Sequence, residues 1–196
     1  MKRVLVLVFL LLSFIGYAQS YSSGNKEHFS FKGISITGTV DSFARKMVAK
    51  GFTLKDSNER AALFTGTFAN ESDTQILAMG TEASNVVYMV IVEFSPKTTW
   101  SSLKSQYLDF KESLTTKYGA PTTCTEEFYE PYYEGDNYEM QAVSREKCKY
   151  VSFFESLYGN VMLTISDEKR VTLLYVDNDG HSIHLAEERS AVLDDL

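Results

Sequence analysis

Cysteine, proline, tryptophan and histidine are all scarce in this 196-residue chain, which contains two, three, one and three of them. Two cysteines cannot build the dense disulfide framework of a mini-protein. Lacking CxxC spacing and a third ligand nearby, they also give no metal or redox motif. Three prolines, at 96, 121 and 131, leave long stretches free to form helices and strands. Three histidines, His28, His181 and His184, leave little material for a catalytic base. There is no Gly-rich phosphate loop, no nucleophile elbow and no paired-histidine metalloprotease helix. Beyond the first fifteen residues no apolar run approaches the about 20 residues that span a hydrocarbon core.

What is present begins with a leader. Lys2 and Arg3 are followed by an apolar run from Val4 to Leu12 that continues through Phe14 and Ile15. Small Gly16 and Ala18 then precede Gln19 and Ser20, the pattern that a signal peptidase cuts. Residues 1–19 are therefore read as a signal peptide, and the mature chain as exported, to the periplasm or beyond the cell. No cysteine stands at the cleavage point to take a lipid, so no membrane anchor is expected. Cleavage removes two basic residues and no acidic ones, leaving 17 against 26, a net charge of −9. That sign disfavours nucleic-acid phosphates and anionic membrane surfaces as partners.

At 44% hydrophobic and 13% aromatic the mature chain, 20–196, can bury a sizeable core. Phe29, Phe31, Ile34 and Ile36 predict an extended segment broken at Gly33. Val40, Phe43, Ala44, Met47 and Val48 share a helical face, with Thr39 or Asp41 as cap and Gly51 as stop. Strands are expected at 62–69, 75–81 and 86–94, the last apolar on both faces and so central in a sheet. A longer helix follows, capped by Thr98 or Thr99, with Trp100, Leu103, Tyr107, Phe110, Leu114 and Tyr118 as its stripe and Gly119 and Pro121 as its end. Strands are then expected at 122–129, 140–155, 161–166 and 171–176. Val161, Leu163 and Ile165 face one way, as do Val171, Leu173 and Tyr175. The tail, 179–196, is charged and helical or frayed. The order implies an α+β fold: an antiparallel sheet with helices on one face, in two tandem helix-then-strands units, 28–96 and 97–178.

If strands 122–129 and 140–150 pair about the turn at Glu134–Asn137, Cys124 and Cys148 face each other, and a disulfide between them is expected. His181 and His184 share a helical face without a zinc arrangement around them, and read as exposed side chains of the tail. Counting an EF-hand from Asp177 puts His181 at position five and Ser182 at six, so Asp177–Gly180 reads as a turn. No metal and no cofactor are expected.

Two phrases, Gly33–Phe43 leading to Lys50-Gly51-Phe52 and Lys117-Tyr118-Gly119-Ala120-Pro121, resemble uncharacterised secreted proteins of Gram-negative gut bacteria, as does Leu173–Asp177. The two-unit plan is similar to the β-lactamase-inhibitor-protein-like fold, whose members bind other macromolecules through a sheet face. That likeness implies a fold and passes on no site residue.

The compositional anomaly is residues 126–139, where Phe128, Tyr129, Tyr132, Tyr133 and Tyr138 alternate with Glu126, Glu127, Glu130, Glu134, Asp136 and Glu139. Tyrosines on a loop offer stiff contact area with a polar tip, and carboxylates attract basic partners. Tyr129, Tyr132, Tyr133, Glu134, Asp136 and Tyr138 are the candidate contact loop of a non-catalytic binding module, its partner a protein or glycan. The alternative is an envelope hydrolase using carboxylates in the cleft between the units.

Overall fold

The computed structural model describes residues 27–194, so the leader of residues 1–19 lies outside the described residues. The fold is α+β, built on an eight-stranded antiparallel sheet. A small hairpin, β1 (Ser30–Phe31) and β2 (Ile34–Ser35), turns through Lys32 and Gly33, both at positive φ (53° and 73°). The first helix, α1 (Val40–Ala49), starts where Thr39 accepts the Ser42 amide at 3.2 Å and stops before Gly51 (φ 93°). Phe52 then folds back, its amide donating to Met47 and its ring buried.

Four strands follow: β3 (Thr53–Ser57), β4 (Ala61–Phe68), β5 (Glu71–Gly80) and β6 (Val87–Glu93). The long helix α2 (Trp100–Tyr118) is capped by Thr99, which accepts the Ser102 amide, and ends at Gly119 (φ 91°). After it come β7 (Thr123–Phe128), a short helix α3 (Glu139–Ser144), β8 (Cys148–Glu155), β9 (Gly159–Ile165), β10 (Val171–Asp177) and a tail helix α4 (Asn178–Asp194). The sheet order is β3-β4-β5-β6-β10-β9-β8-β7. Each helix-led run of four strands thus ends on a central strand, and β6 and β10 join the two runs at mid-sheet.

The helices α1 and α2 pack on one face. Phe43, Met47, Leu103 and Tyr107 share a single buried cluster there with Ile76, Val90, Leu163 and Leu173. The expected alternation of β9 and β10 appears directly in the register, Val171↔Ile165, Leu173↔Leu163 and Tyr175↔Val161. A smaller cluster, Tyr88, Met89, Ile91, Met162, Leu174 and Val176, is formed by the intervening side chains of the same central strands. An irregularity between Met79 and Gly80, opposite the start of β6, lets Tyr88 and Met89 both belong to it.

Three expectations need correction. The edge strand β3 was not anticipated: all five of its residues are exposed, so it lacks the apolar alternation that reveals a half-buried strand. Residues 140–144 are helical rather than extended, because Ala142 and Val143 turn inward together on one side of a helical turn. The third correction concerns the cysteines. The partner of β7 is Cys148–Glu155, which places Cys124 opposite Ser152 and Cys148 opposite Phe128. That four-residue offset separates the cysteines by about 13 Å along the sheet, whereas a bridge needs Cα atoms within about 7 Å. Both cysteines are free, Cys124 exposed and Cys148 buried.

Burial, with a smaller contribution from Glu134, pushes the Cys148 thiol up to about 12. Alkylation of the native protein without reductant is therefore expected to modify Cys124 and spare Cys148 until denaturant is added. Two unmodified thiols in denaturant, released only by reductant, would restore the disulfide.

Candidate functional site

The anomalous segment folds into a tied knuckle between β7 and α3. It leaves β7 at Tyr129, whose amide still donates to Lys147 at 2.8 Å, and passes a cis Glu130–Pro131 bond. Asp136 then closes the turn: one oxygen accepts the Tyr133 amide at 3.1 Å, the other the Tyr138 amide at 2.6 Å. Glu139 accepts the Gly135 amide at 2.8 Å. These short-range side-chain acceptors hold backbone groups that neither helix nor sheet satisfies.

Beneath the knuckle lies an aromatic cluster. Trp100 of α2 meets Phe128 and Tyr150 edge-on at 5.1 and 5.0 Å, and Tyr107 meets Tyr150 at 5.4 Å. Glu134 reaches down into this cluster. It accepts from the Trp100 indole at 3.3 Å and from the Tyr150 hydroxyl at 3.5 Å, and it pairs with the Lys104 ammonium. The hydrogen-bonded Lys104 holds the Glu134 carboxyl below its usual range, with Trp100 and Tyr150 assisting against burial. Tyr132 is partly buried against the main core, and its hydroxyl accepts from Arg145 at 3.0 Å.

The six residues singled out by the sequence thus divide by role. Glu134 and Tyr132 fasten the knuckle to the scaffold, and Asp136 closes its turn. Tyr129, Tyr133 and Tyr138 stay exposed, the last two at 65% and 60%. Tyr129 donates to Glu127 at 2.8 Å. Sequence reasoning missed the fastening partners Trp100, Lys104, Tyr150 and Arg145. The available signal was the spacing of Trp100 and Lys104, four apart on α2 and so on one helical face.

A polar chain runs along the neighbouring edge. The Tyr107 hydroxyl lies 2.7 Å from Ser152, Ser152 donates to the Cys124 sulfur at 3.5 Å, and Cys124 lies 3.5 Å from Glu126. Lys111 of α2 donates to Glu126 at 2.6 Å, and this bond raises the lysine's pKa.

The histidines also depart from expectation. His181 is 9% exposed and His184 stacks on Tyr88 of β6, ring centroids 4.4 Å apart, with a 3.4 Å contact to its hydroxyl. Asp177–Gly180 is no free turn either. The buried Asp177 side chain accepts the Gly180 amide at 2.8 Å and the Phe29 amide at 2.7 Å, with His28 at 3.1 Å, and the helix begins at Asn178. A Cβ on Gly180 would lie 2.8 Å from Tyr88, so this approach requires glycine. Further along, Glu187 accepts the Ala83 and Ser84 amides at 2.7 and 3.0 Å. The tail is docked rather than loose.

Among the described residues no three His, Cys, Asp or Glu converge as a metal site, and no helix is long and apolar enough to cross a membrane. Comparison with family models, with curated proteins and with solved structures gives no match.

Two pH dependences follow. The contribution of Glu134 is full above pH 4.5, its ordinary value, and is lost as pH falls through the lower value of the folded protein. Acid titration is expected to change the emission of Trp100, the single tryptophan, with no such step in Glu134→Ala, which should also cost about 1 kcal/mol of stability. Burial first, then neighbouring His184, lowers the His181 pKa against the pull of Glu188. The unfolded helix therefore takes up protons first, and docking weakens as pH falls below 6.5. Hydrogen exchange at residues 180–188 should quicken there beyond its intrinsic pH dependence, while β6 and β10 stay protected. His181→Phe should remove the effect.

Proposed function

We propose that this chain is an exported, non-catalytic binding module that takes a protein or glycan partner on the knuckle between β7 and α3. One observation carries the reading: the loop is fastened to the scaffold by Glu134 and Tyr132 and closed on itself by Asp136, while Tyr133 and Tyr138 remain unburied at its crest. Holding a loop in one shape in advance lowers the ordering cost of association. Tyrosine then supplies a large contact area with few rotatable bonds. The nearby carboxylates Glu127 and Glu130 are exposed and favour a partner carrying positive charge or hydroxyl donors.

The hydrolase alternative needs a pair of converging carboxylates. Glu93 is paired with Arg170, and Asp177 is taken up by His28 and two backbone amides. Neither lines the two cavities beside the β1–β2 turn.

Replacing Tyr133 and Tyr138 together by alanine should leave stability within about 0.5 kcal/mol, as is usual for exposed side chains. Affinity for the partner captured from envelope extract should fall by about 2 kcal/mol, roughly thirtyfold, if the pair acts as a binding hot spot. Equal capture by this variant and the native protein would move the binding surface elsewhere.

A further inference from the structure

The two cavities beside the β1–β2 turn differ in charge from the rest of the molecule. One, of about 300 Å³, has Phe31, Phe68 and Tyr175 among its walls, with Lys32 and Lys117 as its charged groups. The other, of about 350 Å³, takes Lys46 and Lys50 from the end of α1, and Gly33 belongs to both. Every charged side chain in the two linings is thus a lysine, in a chain whose net charge is −7. None of the four has a carboxylate partner among the described residues. Lys32 instead lies over the Phe68 ring at 5.9 Å, and Lys117 over Tyr118 at 4.8 Å.

Tyr175 adds a second observation. It is 6% exposed, packed beside Phe29 and Phe31 with ring centroids at 6.2 and 5.2 Å, yet no described residue hydrogen-bonds its hydroxyl. Burial raises its pKa far above neutrality, so it remains an O–H donor. Tyr175 lines the smaller cavity, where a ligand oxygen can accept from it.

We propose that the smaller cavity binds a carboxylate attached to a flat apolar face, its oxygens received by Lys32, Lys117 and the Tyr175 hydroxyl and its face laid against the partly buried Phe68. The volume stands at the low end of the about 300–1,000 Å³ range of small-molecule sites, enough for a single ring. This chemistry has two sources, a free aromatic acid and a uronic-acid unit of a glycan. The adjoining cavity separates them, because Lys46 and Lys50 can engage a second carboxylate only on a chain that repeats the anion.

The test is an NMR titration of the whole mature chain with benzoate and with a galacturonate trimer, using benzyl alcohol and a neutral galactose trimer as controls. An acid probe should move the resonances of Tyr175, Lys32 and Lys117, and the Lys32→Gln/Lys117→Gln pair should weaken it roughly tenfold. Raising the salt should weaken it too, since the attraction is between charges. Tighter binding of the trimer, reduced by Lys46→Gln/Lys50→Gln, assigns the glycan. Binding of benzoate that ignores those two changes assigns the free acid. No shift at millimolar probe, equal binding of the neutral controls, or indifference to the Lys32/Lys117 change would each overturn the proposal. These lysines are exposed, so the variants keep the core and the result does not turn on folding.

Discussion

The pairing of β6 with β10 is the constraint on which the rest of this molecule depends. Five residue pairs, from Thr172↔Glu93 to Val176↔Met89, join two strands that are distant in sequence and buried almost throughout. Without that pairing each half would be a four-stranded sheet with one apolar edge and one helix. With it, both helices cover a continuous surface. An aromatic seam closes over the junction: Phe31 stacks on Phe68 at 5.2 Å, Phe68 lies 6.1 Å from Phe94, and Phe94 stacks on Phe110 at 4.4 Å. These rings come from the hairpin, β4, the segment after β6 and α2, so the seam ties four separate parts of the chain to one place.

The elements legible from sequence were those whose burial is one-sided or complete. Val87–Glu93 read as central because it is apolar on both faces, and β9 and β10 read correctly because one pleat face is continuous across them. Both helices were visible from their stripes, caps and glycine stops. The edge strand β3 was not, since exposed positions impose no pattern on Thr53–Ser57. The cysteine pairing failed for a related reason. Symmetry about Asp136 fixes an expected register only if both arms are strands, and Ala142 and Val143 withdrew one arm into a helix.

At the candidate site composition located the segment but not the division of labour within it. Glu134 looks like any other acid of its run, yet it alone meets Trp100, Lys104 and Tyr150, all of them outside the run. Such long-range partners leave no local trace. His181 and His184 are comparable: in a polar tail they read as solvated, whereas Tyr88, nearly a hundred positions earlier, gives them a surface to stack on.

The sheet order has a consequence for how the chain is made. Synthesis runs from the amino end, so β3 to β6 and α1 exist long before Val171 emerges. During that interval the free side of β6, with Met89, Val90, Ile91 and Val92, has no neighbour to complete its backbone ladder. Strand edges of that kind recruit other chains. The finished molecule has polar outermost strands, with Lys55 and Asp56 on β3 and Glu126 and Glu127 on β7, whereas the half-made one ends in its most cohesive segment. A nascent polypeptide with this layout needs to be kept apart from its siblings until its last strand slots between β6 and β9.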